Sequence, residues 1–153
     1  MITNNKIEEK RMDLFLKSIK KMGTLKYLIL NGIYFENSEI KLFDFLKNDN
    51  SLESLTINET KLSKESIEEL AESLKFNNSL KILNLGYCNL GNENLKSLCQ
   101  FFPFNNSIFR IDLCMNALTL NGIKEIYKSL KNNKSINSLN LGYNSSDIIM
   151  GEK

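Results

Sequence analysis

The same apolar pattern returns every 27 or 28 residues through most of this 153-residue chain. Aligned on Leu25, Leu52, Leu80, Ile108 and Ile136, the string shows apolar residues at +3 and +5 from each anchor. These are Leu28 and Leu30, Leu55 and Ile57, Leu83 and Leu85, Ile111 and Leu113, and Leu139 and Leu141. Position +8 holds Ile33, Thr60, Cys88, Asn116 and Asn144. Position +10 holds Phe35, Leu62, Leu90 and Leu118, then Ser146 breaks the pattern. A period of this length marks stacked units that cannot bury an apolar face singly and do so by sharing it. That excludes a fold built around one isolated centre.

Between anchors the spacing changes from strand-like to helical. Counting back from an anchor, apolar residues fall at −13, −10 and −6: Ile67, Leu70 and Leu74; Leu95, Leu98 and Phe102; Ile123, Ile126 and Leu130. Those gaps place one stripe on a helix face. In the first, shorter unit Ile40, Leu42, Phe43 and Leu46 take the role. Each unit therefore reads as strand, turn, helix and return loop. Return-loop residues Gly23, Asn50, Asn78 and Asn106, two before the first four anchors, are expected to adopt left-handed backbone, which suits Lys134 before the fifth less well, and Pro103 to stop the third helix. Phe76 and Phe104 share one register and are expected in the core between units. Ahead of the array, Ile7 to Met22 reads as an amphipathic helix with Met12, Phe15, Ile19 and Met22 inward; its mixed charges favour a polar-backed cap on the first repeat over the alternative of a basic helix lying on a membrane. The predicted organisation is a capping helix over 1–24 and repeats over 25–51, 52–79, 80–107 and 108–135, with a partial unit over 136–153.

The five L-x-x-L-x-L-x-x-(N/C/T)-x-L strings resemble leucine-rich repeats of the ribonuclease-inhibitor-like class. The stretch from Ser66 to Leu80 is similar to the helix-to-strand segment of NOD-like receptors and the GTPase activator of Ran. The resemblance implies an α/β fold, a solenoid of right-handed strand–helix repeats with a curved parallel sheet inside and helices outside. It also implies an interaction scaffold, with regulation of a small GTPase as the alternative.

Strand residues alternate in direction, so +2, +4 and +6 should face the concave surface, with +7 at the rim of the following loop. The candidate partner-binding residues are Tyr27, Ile29, Asn31, Thr56, Asn58, Ile82, Asn84, Tyr87, Arg110, Asp112, Cys114, Met115, Asn140 and Tyr143. Amides, hydroxyls, tyrosines and one arginine suit a protein partner, where aromatic and arginine anchors are enriched. Arg110 and Asp112, two apart on one strand, could pair with each other or reach toward a partner.

Composition narrows the chemistry. The chain has no histidine, which removes histidine-based acid–base catalysis and most zinc sites. Net charge is +2 and no phosphate-binding glycine loop is present, so neither a nucleic-acid binder nor an independent enzyme is expected. No cofactor or metal is expected. Cys88, Cys99 and Cys114 form neither a disulfide framework nor a zinc pair, and Cys88 reads as a buried structural thiol. Five N-x-S/T sequons are ascribed to chance in a chain with 22 asparagines. No signal peptide or membrane span is visible, which predicts a cytoplasmic protein without membrane contact. The half-built last repeat is expected to belong to a longer array, to be covered by Ile148, Ile149 and Met150, or to be covered by another chain.

Overall fold

A computed structural model describes residues 1–144. Strands β1 (Ile2–Thr3), β2 (Tyr27–Asn31), β3 (Ser54–Thr56), β4 (Ile82–Asn84), β5 (Arg110–Asp112) and β6 (Ser138–Asn140) alternate with α1 (Glu9–Met22), α2 (Glu39–Leu46), α3 (Lys64–Phe76), α4 (Gly91–Leu98) and α5 (Leu120–Leu130). The strands form one parallel sheet in chain order. Its register repeats the sequence period: Leu28, Leu55, Leu83, Ile111 and Leu139 lie opposite one another across the sheet. A parallel neighbour needs a crossover, and each helix supplies one.

The strands present their +3 and +5 residues to the helices. Leu55, Ile57, Leu83, Leu85, Ile111 and Leu113 are fully buried, as are Ile67, Leu70, Leu74, Leu95, Leu98 and Phe102 from the helix stripe, all in one core cluster. Full burial of such a side chain contributes roughly 1.5–3 kcal/mol, so the anchors and stripe hold the layers together. Local signals start the helices. Ser63 accepts from the Ser66 amide at 3.1 Å while the Ser66 hydroxyl accepts from the Ser63 amide, a reciprocal cap on α3. Thr119 caps α5 through the Asn121 amide.

The chain ahead of Leu25 is more than a capping helix. Ile2 and Thr3 pair with Leu30 and Asn31, and Lys6 bridges Tyr34, each partner 28 residues on. Ile7 is buried at the register of Phe35. These contacts continue the 28-residue register of the later units. On α1, Met12 and Ile19 are buried and Phe15 half-buried, but Met22 is exposed. Gly23 ends that helix in left-handed backbone, its amide donating to the Ile19 carbonyl at 3.0 Å, and so turns Met22 away from the core.

Two other expectations are corrected. Asn50, Asn78 and Asn106 do not adopt left-handed backbone. The ordering residue stands one place earlier: Asn77, Asn105 and Asn133. The Asn105 amide donates to the carbonyls of Leu74 (2.8 Å) and Asn77 (2.9 Å), and its oxygen accepts from the amides of Ser107 (3.0 Å) and Ile108 (2.9 Å). Asn77 and Asn133 repeat this pattern. Phe76 and Phe104 are not core; they stand 55% and 62% exposed at the return-loop edge, with the Lys47 and Lys75 ammoniums 5.1 and 5.8 Å from their ring centres. The aromatic pair that does fill the core is Phe101 with Phe102, edge to face at 4.7 Å. Helix α4 ends at Leu98 and tightens to a three-residue turn over Cys99–Phe101. That turn lets both rings point inward before Pro103 stops the run.

Candidate partner-binding face

One face of the sheet is covered by helices and the other is left open. On the open face the register assembles two rows across the strands. Tyr27, Ser54, Ile82, Arg110 and Ser138 form the first; Ile29, Thr56, Asn84, Asp112 and Asn140 form the second. All ten are exposed or half-buried. Asn31, Asn58 and Cys114 continue into a third row with Gly86 and Gly142 and are half-buried. A Cβ at Gly86 would lie 3.0 Å from the Cys114 sulfur, so a side chain there would push the thiol out of place.

Beyond the third row the chain turns, and the turn has a fixed conformation. Gly32, Glu59, Tyr87, Met115 and Tyr143, all at +7, have φ between 54° and 63°. The amides of the first four pair with the next unit: Tyr87 N–H donates to the Cys114 carbonyl and Met115 N–H to that of Gly142, both at 3.0 Å. Left-handed backbone costs a non-glycine residue about 1–2 kcal/mol. Four of the five accept that cost, and Tyr87 and Tyr143 project from this rim into solvent.

From Thr60 onward, the residue that follows the rim position locks the turn. Asn116 is buried; its amide donates to the Leu85 carbonyl at 2.7 Å, and its oxygen accepts from the amides of Cys88 and Leu90, both at 3.1 Å. Asn144 does the same for Leu113, Asn116 and Leu118. Thr60 accepts from the Ile33 amide at 3.1 Å, and the Cys88 thiol donates to the Ile57 carbonyl at 2.9 Å. Burial pushes the Cys88 thiol up to about 12, which keeps it protonated and unreactive at neutral pH.

Several predicted contact groups already have partners within the face. The Asn58 oxygen accepts from the Gly86 amide at 3.1 Å, and the Asn31 oxygen from the Asn58 amide at 3.3 Å. Asp112 does not pair with Arg110 at ion-pair distance. It accepts from the Cys114 amide (2.9 Å) and the Asn140 side chain (2.8 Å). Burial works to raise its carboxyl, but these donors and the nearby Arg110 charge outweigh it and hold the group below the usual range. The same neighbourhood raises the Cys114 thiol, first by burial and then through Asp112. Tyr27, Tyr87, Arg110 and Tyr143 are thus the large exposed groups of the face and rim, around Ile29, Thr56, Ile82 and Met115.

The sequence reading missed a cleft of about 830 Å³ on the helix side, between α1 and α2, lined among others by Asp13, Leu16, Lys20, Asp44, Phe45 and Asp49. Asp49 occupies the place that asparagine holds in later units. It accepts from the Leu52 amide at 2.7 Å but has no amide hydrogens to give to the unit before it. The tie between return loops is missing there, and the gap opens at that point. Most of the charge in the cleft is paired within it: Lys41 with Asp13 at 2.8 Å and Lys26 with Glu53 at 2.6 Å. Among the described residues no cluster of three or more acids or thiols could hold a metal ion, and no helix is long and apolar enough to cross a membrane.

No family model and no curated protein matches this sequence. In three dimensions the chain is similar to the solved structure of leiomodin-1 actin-binding site 2, with a TM-score of 0.63 and 19% identity over 71% of this chain. The match covers 62% of that structure, so the chain spans less than two thirds of its length. The likeness is one of fold: a parallel α/β sheet of the leucine-rich-repeat kind.

Proposed function

We propose that this chain is a leucine-rich-repeat solenoid of the ribonuclease-inhibitor-like class that acts as a non-enzymatic intracellular scaffold. It binds a protein partner on the concave, open face of its sheet and on the adjoining rim. The observation that carries this reading is the rim itself. Tyr87, Met115 and Tyr143 hold left-handed backbone at a conformational cost that glycine would avoid, and the two tyrosines point into solvent. The same turn recurs at +7 in every unit, and it fixes where the two rings stand beside the open surface. Arg110, exposed and without an ion pair among the described residues, supplies the second anchor. The solved neighbour's name as an actin-binding site supports a protein ligand and makes actin the first candidate.

The test is affinity capture by the wild type beside a Tyr87→Ala/Arg110→Ala variant, with filamentous and monomeric actin as named probes. Both side chains are exposed, so the variant keeps its fold. Partners lost selectively by the variant support the open face. Equal capture by the two proteins refutes it.

A further inference from the structure

Charge on this molecule is unevenly placed, and the imbalance lies away from the open sheet face. Helix α1 holds five of the twenty cationic residues and two of the eighteen acids, so it is net +3 while the rest of the chain is net −1. Its acids, Glu9 and Asp13, are both drawn to Lys41 of α2, at 2.8 Å each. Lys10, Arg11, Lys17 and Lys21 are exposed and form no ion pair among the described residues. At 100° per residue these four fall within about 60° either side of Leu14, opposite the buried Met12 and Ile19. Leu14 itself is 66% exposed in the middle of them, and Met22 is 58% exposed at the border of the arc.

We propose that this outer face of α1 docks on an anionic lipid surface. The arc lies on the side of α1 opposite its buried residues Met12 and Ile19, and among the described residues its side chains stand open to solvent, an arrangement that suits a plane better than a peptide. Lysine stems can lie along the headgroups while their ammoniums meet lipid phosphates and carboxylates, and Leu14 and Met22 enter the acyl boundary. The arc has no aromatic ring on which a nucleic-acid base could stack, which disfavours single-stranded RNA or DNA. Attachment through α1 leaves the strand rows free, so the membrane would hold the scaffold while the sheet holds its partner.

The experiment is sedimentation of the full chain with vesicles of phosphatidylcholine alone or mixed with phosphatidylserine. Binding is expected only to the mixed vesicles and should weaken as salt rises. Each cation near such a surface strengthens partition about fivefold, so Lys10→Gln/Lys17→Gln/Lys21→Gln should lose on the order of a hundredfold. Leu14→Asn should lose roughly tenfold through its apolar contact. Both variants alter exposed positions, and an unchanged thermal melt shows that they fold. Tyr87→Ala/Arg110→Ala should bind vesicles as the wild type does, which separates this face from the open sheet. Equal binding to both vesicle types overturns the inference. So does wild-type behaviour of Leu14→Asn, or equally tight binding to a single-stranded oligonucleotide, since either marks a general polyanion surface.

Discussion

Asn77, Asn105 and Asn133 each bind four backbone groups, and no other side chain of that size offers two donors and two acceptors. Their own place in the chain also accounts for three of the five glycosylation-like sequons. Asparagine at −3 followed by serine at −1 is the return-loop rule, and those amides are engaged inside the fold, so chance is not the cause. Asn105→Ala should cost ~2–4 kcal/mol in urea denaturation, because two carbonyls and two amides lose partners. Its exposed neighbour Asn106→Ala should stay within ~0.5 kcal/mol. The rim makes the opposite trade. Tyr87→Gly should stabilise the fold by about 1 kcal/mol through relief of left-handed strain, and weaken partner capture at the same time. Cys88 and Cys99, both raised to about 12 by burial, set an alkaline limit. The unfolded thiols lose their protons near 8.5 while the folded ones keep theirs, so the unfolded state binds fewer protons above that pH. Stability is whole below about pH 8.5 and should fall by roughly 1.4 kcal/mol per pH unit per thiol up to about 12. Cys88→Ala should flatten the slope of the urea midpoint between pH 9 and 10.

At the scale of elements, helix-to-helix distance is set by small residues as much as by the apolar stripe. Gly122 opens the inner side of α5 against α4. A Cβ there would lie 2.6 Å from the Asn92 oxygen and 3.0 Å from a Leu95 methyl. Asn92 is not free to move aside: it donates to the Thr119 hydroxyl at 2.8 Å and accepts from the Thr119 amide at 3.1 Å, tying α4 to the cap of α5. Gly→Ala in an exposed helix stabilises by about 1 kcal/mol. Gly122→Ala should instead destabilise by ~1–3 kcal/mol, through overpacking and loss of that tie. A higher melting temperature for this variant would mean the two helices can part without cost.

For the molecule as a whole, burial is even through the middle of the stack and declines toward β6. Leu83 and Ile111 are fully buried; their counterpart Leu139, like Ile136 and Leu141, is only half-buried. The residues offered by sequence as a cover for that end, Ile148, Ile149 and Met150, lie outside the described residues. Stability in stacked units is close to a sum of unit and neighbour terms. Leu83→Ala should therefore cost ~2–5 kcal/mol and Leu139→Ala distinctly less. Amide exchange should be slowest in β3 to β5 and faster in β6. Equal costs for the two leucines would show that the last unit is covered as well as the central ones.

The anchors, the helix stripe and the alternation of strand residues were legible in the sequence because each follows from local period alone. A side chain at +3 must face the helix layer once its neighbours do, whatever the rest of the chain does. The third-row amides were legible as surface residues, but not as groups already bonded to the next unit, because that bond depends on a neighbour 27 or 28 residues away. The first strand was hidden because two residues carry no period. Phe76 and Phe104 were misplaced because shared register shows only that they are equivalent, and the tight turn at Cys99–Phe101 gave the core to another pair. The cleft beside Asp49 and the cationic arc of α1 needed the fold as well. Whether a charge is spent or left free depends on which partner packing brings within 3–4 Å, and no one-dimensional pattern contains that distance.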